Sequence, residues 1–404
     1  MLDLTKVARA MQGISQHMTL EVAASHQRLE LAQQLMAAAY KRQQELVQRQ
    51  KQWRERILFS NAIPVEPLNT SIDLPVPPKV HTVIATDGSQ IAPNHHEIAY
   101  CYLLNVGRVV LHYGQNRHPL LDSLPEVFYR PEDLHVSRQW GIRTEEWMGY
   151  RRTASEATVL AELASSVASD ENSGVSNSLL FPSVPMLAMV DGSLIYWFLE
   201  QLPSEARECI LPSILSAWEQ LRELGIPLMG YLSASRSSEA LNFLRLQACP
   251  HQVPDCVTYC PNQLEKMPCQ VLEPLRDSSL WSFQLQPGQR STLWRSSARI
   301  LDLYGSHVIY FCYVHVGTEI ARVEVPAWVA ENSTLLDQAL SLMLAQVQKG
   351  YGYPIALAEA HNQAVVRGGD RARFFALLEQ QMIKAGLRNV GISYKEARKR
   401  GSIA

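Results

Sequence analysis

Hydrophobic and polar positions change their period several times along this chain, and each change marks a different kind of element. From about Leu4 to Leu58 the sequence is rich in Ala, Gln, Glu, Leu, Lys and Arg and free of proline, with sparse apolar positions at Leu31, Leu35, Leu46, Trp53 and Ile57. That spacing predicts long amphipathic helices. Their heptads are irregular, so the segment reads as an appendage that packs on the body or on a second copy. A proline-rich linker follows over residues 63–78. Lys79–Thr86 then reads as a strand, and Glu97–Asn105 with Arg108–Tyr113 as a hairpin turning at Asn105-Val106-Gly107. Beyond it the pattern predicts a helix over Arg151–Ala168, a strand Met186–Val190, a helix Ser204–Leu224 and a strand Ile226–Leu232.

An antiparallel meander followed by helix-separated parallel strands is the order of an RNase H-like α/β mixed sheet flanked by helices. A Rossmann sheet alternates strand and helix strictly from the start. The stretch of about residues 248–290, with four cysteines and many prolines, breaks the pattern and reads as an insertion. After it, Val308–His315 and Ala321–Val325 flank Gly317-Thr318-Glu319 as a second hairpin, and helices follow over Leu335–Gln348 and Pro354–Val366. The expected organisation is a helical extension over 1–62, a linker over 63–78 and one domain over 79–404 that carries the insertion.

Composition narrows the function classes. With 404 residues, 47% hydrophobic and 19% charged, the chain can bury a large core. No apolar run approaches the roughly 20 residues that cross a bilayer, and the N-terminus lacks a signal-peptide pattern, so the expectation is a cytoplasmic protein away from membranes. A net charge of −2 supplies no general attraction to polyanions, so nucleic-acid contact would need local patches or bound cations. The seven cysteines then read as reduced thiols. Among Cys249, Cys256, Cys260 and Cys269, with His251 between them, only Cys256-x-x-x-Cys260 has a chelating interval. That is weak ground for zinc.

The chemistry-bearing feature is a repeated tripeptide. Asp87-Gly88-Ser89 follows Thr82-Val83-Ile84-Ala85-Thr86, and Asp191-Gly192-Ser193 follows Met186-Leu187-Ala188-Met189-Val190. Each Asp is expected to end an apolar strand, where two carboxylates on neighbouring strands can meet on one hard cation. The Gly after each would let the backbone turn sharply away and a phosphate or metal approach closely. One Asp-Gly alone is a common strand-end turn; two in equivalent places point to a site. Glu156 and Glu162 lie six residues apart on the intervening helix and therefore on different faces, so at most one points inward. Arg151-Arg152 just upstream would suit phosphate only if that helix rims the site. Near the end, Tyr353-Pro354 opens a helix carrying His361, which shares a face with Leu357 and Val365. A core histidine and a functional one are both compatible with that placement, and the same holds for Arg367, Arg371 and Arg373 as a solvated face or a basic patch. No Walker loop, serine-hydrolase elbow or dinucleotide fingerprint is present.

Taken together, the two Asp-Gly-Ser turns, the strand Ala321-Arg322-Val323-Glu324-Val325-Pro326 and the Tyr353-Pro354…Ala360-His361 helix resemble the NurA nucleases over most of the chain after the linker. The resemblance implies a homodimeric, Mn²⁺-dependent (or Mg²⁺-dependent) single-strand endonuclease and 5′ to 3′ exonuclease on DNA. Such an enzyme processes single strands or duplex ends in double-strand break repair with a HerA-type hexameric ATPase. It further implies Asp87, Glu156, Asp191 and His361 as metal-binding residues and Tyr353 as their catalytic companion, with Glu162 in reserve for Glu156. The rivals are a non-catalytic adaptor that clamps DNA for a translocase, and an actin-like ATPase gripping phosphates with the same turns.

Overall fold

The computed structural model describes residues 3–11, 13–94, 99–172, 184–261 and 267–386. In chain order its main elements are helices α1 (Ile14–Lys41) and α2 (Gln43–Gln52) and strands β1 (Ala62–Pro64) and β2 (Ser71–Asp73). Next come β3 (His81–Ile91), β4 (Tyr102–Tyr113), β5 (Leu120–Phe128), α3 (Thr144–Asn172), β6 (Met186–Asp191), α4 (Ser204–Glu223) and β7 (Leu228–Leu232). The chain ends with α5 (Glu239–Ala248), β8 (Gln289–Ser291), β9 (Trp294–Ser296), β10 (Ile309–His315), β11 (Ile320–Pro326), α6 (Ser333–Lys349), α7 (Ile355–Ala364) and α8 (Gly368–Lys384). No helix of the described residues is long and apolar enough to cross a membrane.

Two compact units form, Met1–Leu74 with Tyr231–Ala327, and Pro75–Gly230 with Trp328–Ala404. This division departs from the expected extension, linker and single domain. In the first unit, α1 carries its buried face at Leu29, Ala32, Met36 and Ala39, which share one core with Leu244, Trp281, Trp294 and Phe311. The spacing is helical, but two of the four positions are alanines, which a search for large apolar residues passes over. The helices expected as an appendage are therefore part of a core. The same unit holds the antiparallel pairs β1 with β9, β9 with β10, β10 with β11 and β2 with β8. The stretch expected as an insertion belongs to it too. Cys256, Cys260, Met267 and Cys269 form a small buried cluster there, and Cys249 lines the same narrow cavity as the three cysteines. All seven cysteines are free thiols.

The second unit contains the mixed sheet. β5, β4 and β3 are an antiparallel meander, and β6 joins β3 in parallel, with β7 beyond β6. Val83, Ile84 and Ala85 of β3 and Met186 to Met189 of β6 are all buried, the unbroken apolar run of strands covered on both faces. Two local expectations fail. β3 does not stop at Thr86 but continues to Ile91, so Asp87-Gly88-Ser89 is extended strand, not a turn. Asn105-Val106-Gly107 is likewise not a hairpin: β4 runs through it, and Gly107 sits opposite Asp87. Glu97, the expected start of that hairpin, lies outside the described residues. The reason for Gly107 is the helix above it: a Cβ there would stand 2.3 Å from the Ala360 carbonyl oxygen and 2.5 Å from the Ala364 nitrogen. A glycine inside a strand marked a close approach, which competes with the turn reading.

Candidate functional site

The site lies wholly in the second unit and is assembled by β3, β6, α3 and α7. The parallel register sets Thr86 opposite Val190, so Asp87 and Asp191 follow as the next residues of two hydrogen-bonded strands, about 4.8 Å apart. Asp191 ends its strand, and Gly192 turns the chain away at φ +101°, a conformation open to glycine at little cost.

Glu156 reaches this pair from α3. The Thr86 hydroxyl donates to the Glu156 carbonyl at 3.0 Å, tying the helix to the strand. The carboxylate itself rests on Gly88: a Cβ there would fall 2.2 Å from Glu156 Oε1 and 2.7 Å from Arg152 Cγ. Gly88 therefore makes room for a functional side chain. Glu162, the reserve candidate, is exposed on another face, as the six-residue spacing required.

The electrostatics bind these acids into one group. Burial pushes the Glu156 carboxyl up to about 7; the Arg152 guanidinium opposes this, while Asp87 and Asp191 repel the anion and raise it further. Asp191 is also raised, chiefly by burial and then by Asp87, against a stabilising hydrogen bond from the Tyr353 hydroxyl and the nearby His361. Two basic side chains meet the group. Arg152 Nε lies 3.1 Å from Glu156 Oε1, and His361 Nδ1 lies 2.8 Å from Asp87 Oδ2. His361 is 62% exposed, so of its two readings the core histidine is ruled out. Of the arginine pair, Arg152 faces the acids, while Arg151 bonds Asp133 at 2.8 Å and stacks on Phe128. Arg367, Arg371 and Arg373 lie on or beside α8, where Arg373 pairs with Asp370 at 3.6 Å and Arg371 lies over Phe375.

All five expected residues, Asp87, Glu156, Asp191, Tyr353 and His361, are thus brought together. Arg152 was offered for phosphate on condition that its helix rims the site, and α3 does bring it to the acids; that Gly88 and Gly107 admit Glu156 and α7 was not foreseen. The donor set, three carboxylates and an imidazole, suits a hard divalent cation, and the mutual repulsion of the acids is what such an ion relieves. Among the described residues, however, no group of three or more His, Cys, Asp or Glu side chains is drawn in closely enough to hold a metal ion. The chemistry of the donors fits; a closed cage would need Glu156 to leave Arg152 and the acids to draw together.

Comparison with known proteins follows the same direction. No curated protein matches the chain. Among solved structures it is similar to the crystal structure of the NurA nuclease from Sulfolobus solfataricus, at 13% identity over 95% of this chain and 98% of that one, with a TM-score of 0.49. It is also similar to a crystal structure of NurA with manganese, at 12% identity over 79% of this chain and 91% of that one, with a TM-score of 0.33. The model of the NurA domain matches residues 81–366. That span holds every site residue named above and covers well over half of the sequence, so the chain belongs to the NurA family of nucleases.

Proposed function

We propose that this protein is a divalent-metal-dependent deoxyribonuclease, cutting single-stranded DNA internally and from 5′ ends. The observation that supports it is the partly buried group of Asp87, Asp191 and Glu156, acids that repel one another and carry too few cationic partners. Its role in end processing and double-strand break repair, its homodimeric state and its HerA-type translocase partner are proposed from the family resemblance.

Asp87, Asp191 and Glu156 would hold Mn²⁺ or Mg²⁺. A cation bound there neutralises charge building on the phosphate and acidifies the attacking water. The chain's own residues do the rest. With Nδ1 donating to Asp87, the His361 ring presents Nε2 outward, poised to take or give a proton. Tyr353 donates to Asp191 and so orients that carboxylate. Arg152 holds Glu156 while the site is empty of substrate, and its guanidinium is suited to a phosphate oxygen once Glu156 takes another partner.

End-labelled single-stranded DNA incubated with wild type and Asp87→Asn, with Mn²⁺, Mg²⁺ or chelator, tests this. Metal-dependent cleavage by wild type and a loss of at least a hundredfold in the variant are expected, with both proteins folded. Cleavage undiminished in Asp87→Asn would remove the central claim, and DNA binding without cleavage under any metal would favour the adaptor.

A further inference from the structure

Between α6 and α7 the chain turns through Gly350-Tyr351-Gly352-Tyr353-Pro354. Tyr351 sits at the tip with φ +56° and is 96% exposed, the most exposed aromatic among the described large hydrophobic residues. Left-handed backbone is unfavourable for a bulky L-residue and persists only when its surroundings enforce it. Here they do. The Gly350 N–H donates to the Gln346 carbonyl at 3.0 Å, the Gly352 N–H to the Val347 carbonyl at 3.0 Å, and the Ala356 N–H to Gln346 Oε1 at 3.2 Å. The turn is tight enough that a Cβ on Gly350 would fall 1.9 Å from the Tyr353 carbonyl oxygen. Pro354 is buried beneath it. An aromatic ring is thus held out in water on a rigid mount, two residues from the tyrosine that bonds Asp191.

A lone ring of this kind is poorly suited to docking another protein, which takes a contiguous apolar patch. Its sequence neighbours Gln348 and Lys349 are exposed and polar. The Lys349 ammonium is turned to the Tyr113 ring, 4.9 Å from its centre. A flat π-face held out two residues from the tyrosine that bonds Asp191, an acid proposed to work on phosphate, matches one class of ligand. We propose that Tyr351 is a stacking platform for an unpaired nucleobase flanking the phosphodiester at the Asp87–Asp191 site. This rests on the nuclease reading of that site and adds a cause for single-strand preference: only an unpaired base, or the last pair of an open duplex end, has a face free to stack. Every base has such a face, so the contact should be tolerant of sequence.

The test separates binding from cleavage. In the Asp87→Asn background without metal, the affinity for a fluorescent oligo-dT strand is measured by anisotropy, beside a fluorescent covalently closed circular duplex that presents no terminal pair. Adding Tyr351→Ala should weaken single-strand binding about fivefold or more, the range of one lost base stack, and leave the duplex unchanged. Tyr351→Phe and Tyr351→Trp should retain affinity. Tyr351→Gly should weaken binding as much as Ala while raising Tm, because it removes the backbone strain; loss of binding with gained stability excludes misfolding. Unchanged affinity in Tyr351→Ala, or a loss in Tyr351→Phe equal to that in Ala, overturns the proposal. Wild-type cleavage with Mn²⁺ is scored separately. Cutting by wild type with no binding defect in Tyr351→Ala sinks the platform alone, and a binding defect without cutting by wild type sinks the nuclease reading alone.

Discussion

Each unit of this protein gathers three acidic side chains, and the two groups are treated in opposite ways. In the first unit, Arg322 is fully buried between Glu239 and Glu324, at 2.7 Å from each, with its guanidinium 3.6 Å over the Phe311 ring. Asp277 accepts from the Ala240 and Leu241 N–H groups at 3.0 and 2.8 Å and from the Tyr313 hydroxyl at 2.6 Å. Ser296 donates to Glu239 at 2.7 Å. Burial still raises Glu239 and Asp277, but each is answered by several donors. In the second unit, Asp87, Asp191 and Glu156 share one arginine, one histidine and one tyrosine; Asp87 and Asp191 raise Glu156, and Asp87 raises Asp191. Saturated acids hold a fold together, whereas undersaturated acids at a cleft keep ligand positions open. The Arg322 strand also carries the resemblance to NurA, so a motif can be shared within a family for packing as well as for chemistry.

The sharpest way to break the comparison is to strip the saturated group of its cation. Arg322→Met leaves Glu239 and Glu324 buried without their partner, and should cost about 3–5 kcal/mol of stability. Denaturant titration followed by tryptophan fluorescence reads it, Trp281 and Trp294 being buried in the same unit. Adding Glu239→Gln and Glu324→Gln to that variant should recover part of the loss. A single variant as stable as wild type would show that the network is not structural.

How much of this was legible beforehand depended on whether a residue's reason was local. The paired Asp-Gly-Ser, the apolar runs of β3 and β6 and the helix after Tyr353 carry their causes in their own neighbours, and all were readable. Gly88 and Gly107 were misread as turn residues because their causes lie in helices far along the chain, α3 and α7. The N-terminal helices were read as an appendage because their buried stripe alternates Leu and Met with alanine. Glu156 and Glu162 could be placed on different faces by spacing, but only the close approach at Gly88 distinguishes which one reaches the acids. Tyr351 had a faint signal, an aromatic between two glycines, that means nothing until its φ and exposure are known.

The glycines offer a second, smaller test, because what presses on them differs. At Gly107 the obstacles are backbone atoms of α7, which cannot swing aside, so Gly107→Ala should cost about 1–3 kcal/mol and displace His361 from Asp87. At Gly88 the obstacles are side-chain atoms, the Glu156 carboxylate end and the Arg152 stem, which can turn about their own bonds, so Gly88→Ala should lower Tm less than Gly107→Ala while lowering cleavage. Thermal melts beside cleavage rates separate the two. Equal stability losses at both positions would mean that α7 yields as easily as a side chain.

A last test lies in the sign of stability against pH. Glu156 titrates near 7 in the folded protein, against roughly 4.3 in an unfolded chain. The folded state therefore holds the extra proton between those values, and the stability contributed by this group is lost as pH rises from about 4 to about 7. Metal-free wild type should lose up to about 3–4 kcal/mol relative to Glu156→Gln across that interval, so the variant melts higher at pH 8 while the two converge at pH 4. Mn²⁺ should reverse the order at pH 8 by replacing the missing proton in wild type alone. A parallel pair of melting curves at every pH would mean that Glu156 is not held against its neighbours' charge. The contrast between the two groups of acids would then lose its physical basis, since undersaturation would carry no energetic signature at the site proposed to use it.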